Sequence, residues 1–186
     1  MPRLTPVDEK AFTQEQRDLY NALTQSREPQ QPGLIGGPFD AWLTNGEMGR
    51  RIVGLGNMFR FKTSVDRRYV ELVILVTGQF WQAQFEWFAH EPMAREAGLP
   101  ESVINSIKVG ETPIFTDPAD RAAFFLAKEL HHDHQLSEQT FQAAIEAFSQ
   151  QGVAELVNLA GYYTMVSMTL NTFEVPLPKG EKPPFD

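Results

Sequence analysis

Glu86 and His90 stand four residues apart in the run WQAQFEWFAHE, which is otherwise aromatic, apolar or amide-bearing. On a helix, positions i and i+4 share a face, so both side chains can aim at one point. A carboxylate beside an imidazole stabilises the imidazolium and fixes the ring's tautomer, which a general acid–base pair requires. The same spacing also describes a solvated pair on a surface helix, contributing only about 0.3–0.5 kcal/mol. Glu71 bears on the choice. It lies among Val70, Leu72, Val73 and Ile74, and a carboxylate buried there needs hydrogen-bond donors. His90, Gln82 and Trp81 offer them from the following segment. If Glu86 also comes close, two carboxylates share a site and one proton is retained. The other reading puts Glu71 on a narrow polar edge, with Arg67 or Arg68 one turn back.

The remaining candidates are weaker. Gln79 and Gln82 extend the polar face upstream of Glu86. His131 and His134 in HHDHQ are spaced i, i+3 and could chelate, yet histidine is also favoured at a helix C-terminus by the dipole. The reading for His131, His132 and His134 is a solvated helix end, with no metal expected. GGPF at 36–39 lacks a preceding strand and the spacing of a phosphate loop. The chain has no cysteine, which excludes disulfides, thiolate metal sites, thiol nucleophiles and thiol redox couples. The aromatics Phe80, Trp81, Phe85, Trp87 and Phe88 suit a core or subunit contact, and some can line an apolar pocket.

These side chains need elements to hold them, and helix signals dominate. A chain of 186 residues fits one domain with a real core. The formal charge of −8, with no cluster of Lys and Arg, argues against a nucleic-acid or anionic-membrane surface. The N-terminus has no apolar signal segment, and LVNLAGYYTMVSMTL is too short to span a bilayer, so a cytoplasmic location is expected. Thr13 and Gln16 form a capping box for a helix over 13–26. An extended Pro/Gly loop, SREPQQPGLIGGPF, follows, then helices over 39–44 and 46–60. Ser64 or Asp66 caps a buried helix that Gly78 ends. The next helix covers 81–97, with Pro92 kinking it just after His90. Helices follow from Pro100 to Lys108, from Asp117 to the histidines, from Ser137 to Gln150, and, after a break at Gly152, to Phe173. No period-2 strand is present. The class is all-α with seven to nine helices, as one domain over 1–186, with a helical arm at 1–30 and a Pro-rich tail at 174–186.

The run DRRYVELVILVTGQFWQAQFEWFAHEPMAREAGLPESVINSIKVGE resembles the carboxymuconolactone decarboxylase family, which includes the AhpD-like alkylhydroperoxidase relatives. The flanks GGPFDAWLTNGEMG, DPADRAAFFLAKELHHDHQLSEQTF and GYYTMVSMTLNTFEVPLP are similar too, so the likeness covers nearly the whole chain. It implies an AhpD-like helical fold and a homo-oligomer: a dimer, trimer or hexamer. Redox-active members carry a glutamate, a Cys-x-x-Cys and a histidine four residues beyond the second cysteine. Glu71 and His90 match the glutamate and the histidine, while Ala83 and Glu86 stand where the sulfurs would be. A dithiol peroxidase mechanism is therefore chemically impossible here.

What is left resembles the cysteine-free branch, which implies decarboxylation or related lactone and enol chemistry without a cofactor, on a small organic acid or lactone from aromatic-compound catabolism. The resemblance implies His90 as proton donor and acceptor, Glu86 as its orienting or second acid–base group, and Glu71 tuning both. Gln82, Trp81, Arg67 and Arg95 are the expected substrate contacts; Arg67, Arg68, Arg95 or a neighbouring subunit would supply a cation for the carboxylate. The alternative is a non-catalytic oligomeric binding or scaffold protein, which predicts no cavity at the Glu86/His90 face. A metal enzyme using His90 with the carboxylates is a third, weaker option.

Overall fold

The computed structural model describes residues 3–27, 29 and 33–185. Those residues form eight α-helices, a 3-10 turn at Glu9–Ala11 and no β-strand beyond an isolated bridge at Leu34. The parts of the expected arm at 1, 2 and 28–30 and of the loop at 28 and 30–32, apart from residue 29, lie outside the described residues, as does residue 186 of the tail.

Helix α1 (Gln14–Thr24) starts with the capping box read from the sequence: Thr13 Oγ1 accepts from the Gln16 N–H, and Gln16 Oε1 from the Thr13 N–H. Two amides that the helix cannot satisfy are thereby paired. Leu19 and Leu23 on its buried face join Phe12, Ile35 and Leu43 in a small satellite core. Helices α2 (Phe39–Leu43) and α3 (Gly46–Phe61) follow. The glycines of α3 do more than weaken it. A Cβ on Gly46 would lie 2.4 Å from Glu15 and Gln16 backbone atoms, and one on Gly49 would lie 2.6 Å from the Trp42 carbonyl oxygen. Gly49→Ala should therefore cost about 1–3 kcal/mol, the range for overpacking. The urea midpoint reads this, and an unchanged midpoint would mean that α3 can move away from α1 freely.

Helix α4 (Arg67–Phe80), capped by the Asp66 carboxylate on the Arg68 N–H, is central, and every residue from Val70 to Gly78 is buried. Leu72, Val73, Ile74 and Leu75 have no exposure, and burying such a side chain contributes roughly 1.5–3 kcal/mol. Around it pack α5 (Gln84–Glu96), α6 (Glu101–Lys108), α7 (Pro118–His132) and α8 (Glu138–Thr172). Arg68 ties α4 to α7 by donating to both carboxylate oxygens of the buried Asp120.

Three boundaries differ from expectation, each for a local reason. Helix α4 runs past Gly78 to Phe80, and Gln82 takes the left-handed conformation at φ 49°. The Ala83 N–H then bonds back to the Gly78 carbonyl at 2.9 Å, as a Schellman turn does. The helix expected over 81–97 so begins at Gln84; it continues through Pro92 to Glu96. The interruption in α8 lies at Ser149 (φ 61°, ψ 173°), and Gly152 is helical. Gly152 is needed for proximity instead, since a Cβ there would lie 2.8 Å from Phe148 Cβ and 3.1 Å from Val65 Cγ2. The tail over 174–185 is non-helical, with a turn closed by the Glu181 N–H on the Pro178 carbonyl, and it docks: Gln84 bonds both backbone groups of Phe185, whose ring packs edge-on against Trp87.

Candidate active site

The tight turn between α4 and α5 brings their polar positions together. His90 Nδ1 lies 2.7 Å from Glu71 Oε2, and both side chains are buried. Glu71 has no exposure at all, and Arg67 one turn earlier on α4 reaches its other oxygen. Acceptance by the Glu71 carboxylate keeps the proton of His90 on Nδ1, which turns Nε2 toward the opposite side. There Nε2 lies 3.1 Å from Glu86 Oε1, within ion-pair distance but without hydrogen-bond alignment. The three groups form a line, with the imidazole between two carboxylates.

Glu86 sits in the first turn of α5, and burial pushes its carboxyl above the ordinary range. The neighbouring His90 opposes that shift, Glu71 adds to it, and Arg60 opposes it. Glu86 thus keeps its proton to higher pH than a solvated glutamate would, beside a nitrogen able to take it.

The Glu86 and His90 side chains border a cavity of about 340 Å³. Its walls come from the 35–38 turn, α2, α3, α5 and α8, with Phe39, Trp42, Val53, Phe85, Met93 and Val166 as the apolar part. Asp40 shapes the turn by accepting from the backbone N–H groups of Ile35 and Gly36, at 2.6 and 2.9 Å. The polar part is Arg27, Asn57, Arg60, Tyr162 and Tyr163 together with the Glu86/His90 pair. A largely apolar chamber with a few convergent polar groups fits a small organic molecule. Arg27 and Arg60 make no ion pair among the described residues, so the chamber presents two guanidinium groups to an anion.

Of the residues singled out from sequence, Glu71, Glu86 and His90 are brought together, with Glu71 behind the imidazole and outside the cavity lining. The structure places the expected substrate contacts away from this cavity. Gln82 does not continue the Glu86 face; it is exposed in the turn and donates to the Gln79 carbonyl. Trp81 caps α4 and donates to Thr164 Oγ1 on α8. Arg95 pairs with Glu91 and Glu101 on the exposed side of α5. Arg67 is occupied by Glu71 and by the Arg60 carbonyl. Arg68 is taken by Asp120. None of the five lines the cavity. The cations that do, Arg27 and Arg60, escaped sequence reasoning. Arg60 carries a usable signal, four residues after Gly56 on one helix face. Arg27 follows α1 in irregular chain, where no periodicity announces direction.

The histidine cluster is structural on one side. His131 stacks on Phe80 and lies 2.9 Å from Thr77 Oγ1, and burial pushes its pKa down to about 4. Among the described residues no three His, Asp or Glu side chains gather as for a metal ion, and Glu71 and Glu86 sit at opposite nitrogens of the His90 ring. A histidine whose folded pKa lies below its unfolded value of 6.5 takes up a proton on unfolding. Stability is therefore lost as pH falls from about 6.5 toward 4 and is fully present above that window. His131→Gln should flatten this part of a pH-dependent urea unfolding series; an identical slope in both proteins would contradict it.

No protein-family model and no curated protein sequence matches the chain. Solved structures do. An uncharacterized peroxidase-related protein with an alkylhydroperoxidase AhpD core, from Ralstonia eutropha JMP134, superposes with a TM-score of 0.74 at 15% identity, over 96% of this chain and 93% of that one. An uncharacterized peroxidase-related protein from Silicibacter sp. TM1040 does so with a TM-score of 0.73 at 12% identity, over 96% and 92%. A variant of the debrominase Bmp8 in complex with 2,3,4-tribromopyrrole gives 0.72 at 11%, over 96% and 95%. At these identities the likeness speaks for architecture alone: the chain has an AhpD-like fold.

Proposed function

We propose that this chain is a cofactor-independent acid–base enzyme of the lyase type, acting on a small carboxylated lactone or enol acid of the kind met in aromatic-compound catabolism. The observation that carries it is the Glu71–His90–Glu86 line ending at a 340 Å³ cavity, which holds two guanidinium groups without an ion-pair partner among the described residues. Arg27 and Arg60 attract the substrate anion and hold it against the aromatic wall. Loss of carbon dioxide leaves the bonding electron pair in an enolate, whose charge the same guanidiniums stabilise. The proton held between Glu86 and His90 Nε2 is delivered to the enolate carbon, and solvent returns a proton to the pair. Glu71 holds the ring so that Nε2 is the atom that exchanges protons.

Two comparisons support the reading over its rivals. A chamber of this size at the Glu86/His90 face is what the scaffold alternative does not predict. A debrominase of the same fold is found in complex with a small ring compound, 2,3,4-tribromopyrrole. The test is a panel of carboxylated γ-lactones and β-keto or enol acids, followed by carbon dioxide release and by solvent deuterium at the protonated carbon. Release of carbon dioxide with one deuterium incorporated is expected for at least one member; a panel turned over no faster than in buffer would overturn the proposal.

A further inference from the structure

We propose that Tyr162 is a further catalytic residue, whose hydroxyl donates to the substrate oxygen on which negative charge develops, and that Gly56 is the residue that lets it stand there. This rests on the acid–base reading of the same cavity. Tyr162 is almost fully buried on α8 and lines the cavity. Its hydroxyl makes no hydrogen bond to protein among the described residues and is not one of their fully buried unpaired atoms, so it opens into the cavity as a free donor. A ligand in the cavity can therefore meet this donor without breaking any bond within the protein.

The position is a built one. A Cβ on Gly56 would lie 2.2 Å from Tyr162 Oη and 2.8 Å from Cζ, so the phenol occupies the space that every other residue on α3 would fill. Phe59 packs on the ring from the same helix at 5.7 Å between centroids, and Tyr163 packs on it at 5.2 Å, which fixes its direction. Tyr163 is itself held edge-on to the His90 ring at 5.1 Å, so the hydroxyl is registered to the imidazole through one intervening ring. Burial and the nearby Glu86 carboxyl keep the Tyr162 phenol protonated, with Arg60 pulling the other way. A phenol that does not ionise remains a donor at every working pH. Donation to an oxyanion held in the cavity strengthens as charge builds up, which is what transition-state stabilisation needs.

The probe is 4-nitrophenolate, an anion whose ring carries the oxygen, compared with nitrobenzene, which lacks it. Wild type, Tyr162→Phe and Gly56→Ala are titrated by calorimetry at a pH where the free phenol is ionised. A hydrogen bond to a charged oxygen predicts that Y162F weakens 4-nitrophenolate roughly tenfold or more, with nitrobenzene unchanged. G56A displaces the hydroxyl and should reproduce the selective loss with the tyrosine still present. Equal affinity of Y162F and wild type for the phenolate overturns the proposal, as does a parallel loss of both ligands or no binding of the phenolate to wild type. Binding here involves no proton transfer, so its failure leaves His90 chemistry standing. Turnover that survives in H90Q removes that chemistry and leaves the binding result intact.

Discussion

His90→Gln should lower turnover of the decarboxylated substrate by roughly 10²–10⁴, the worth of a positioned proton-transfer group. Glutamine keeps a polar group of similar reach and can still meet Glu71, so the fold is expected to survive and the loss to lie in kcat. Glu86→Gln should fall in the same range, because an amide cannot pass a proton to Nε2 from the 3.1 Å position now held by Oε1. The two losses should not add. If one proton is shared by the pair, removing either end disables the same step, and the double variant should be close to the worse single one. Steady-state rates of the four proteins decide this. Undiminished rates in both single variants would end the acid–base reading.

Glu71→Ala should lower the unfolding free energy by about 3 kcal/mol, toward the small end for breaking a buried pair because Arg67 is 32% exposed. The cause is desertion more than lost attraction. His90 Nδ1 keeps a proton with no acceptor, and Arg67 loses the carboxylate that offsets its partial burial. For a chain of this length the change corresponds to a fall in Tm of roughly 6–12 °C. Replacing Glu71, His90 and Arg67 together by leucine should restore much of it, since exchanging a whole buried polar cluster for apolar groups is often neutral or better. A single-variant loss below about 1 kcal/mol would mean that water already reaches Glu71, against its lack of exposure.

The helices are legible wherever caps and periodicity agree. Thr13 with Gln16, Asp66, Asp117 and Ser137 each cap a helix that the sequence announces. Legibility fails where a non-glycine residue takes the left-handed conformation. Gln82 and Ser149 carry no sign of it, so sequence reasoning places the breaks at the nearest glycines, Gly78 and Gly152. That error carries into the site, because a turn at Trp81–Gln82 takes both side chains off the Glu86 face. The line of Glu71, His90 and Glu86 can be read because a carboxylate in an apolar run and an i, i+4 pair are both local patterns. The cavity cannot, since it forms where α2, α3, α5 and α8 meet: the Gly56/Arg60 spacing puts the two on one face of α3, but no local pattern reports what that face meets.

The full burial of α4 sets how the site breathes. Backbone amides from Val70 to Gly78 are covered by α5, α7 and α8 on all sides, so their hydrogens exchange with solvent only when the whole domain opens. Glu71 rides on that helix, and the imidazole's anchor is therefore as durable as the fold. One wall of the chamber is the 35–38 turn, whose tie to the rest includes two hydrogen bonds to Asp40. Opening that tie costs far less than unfolding the domain. The imidazole's anchor thus sits on a helix behind the chamber that opens only with the whole domain, whereas one wall of the chamber itself is a turn whose ties are few.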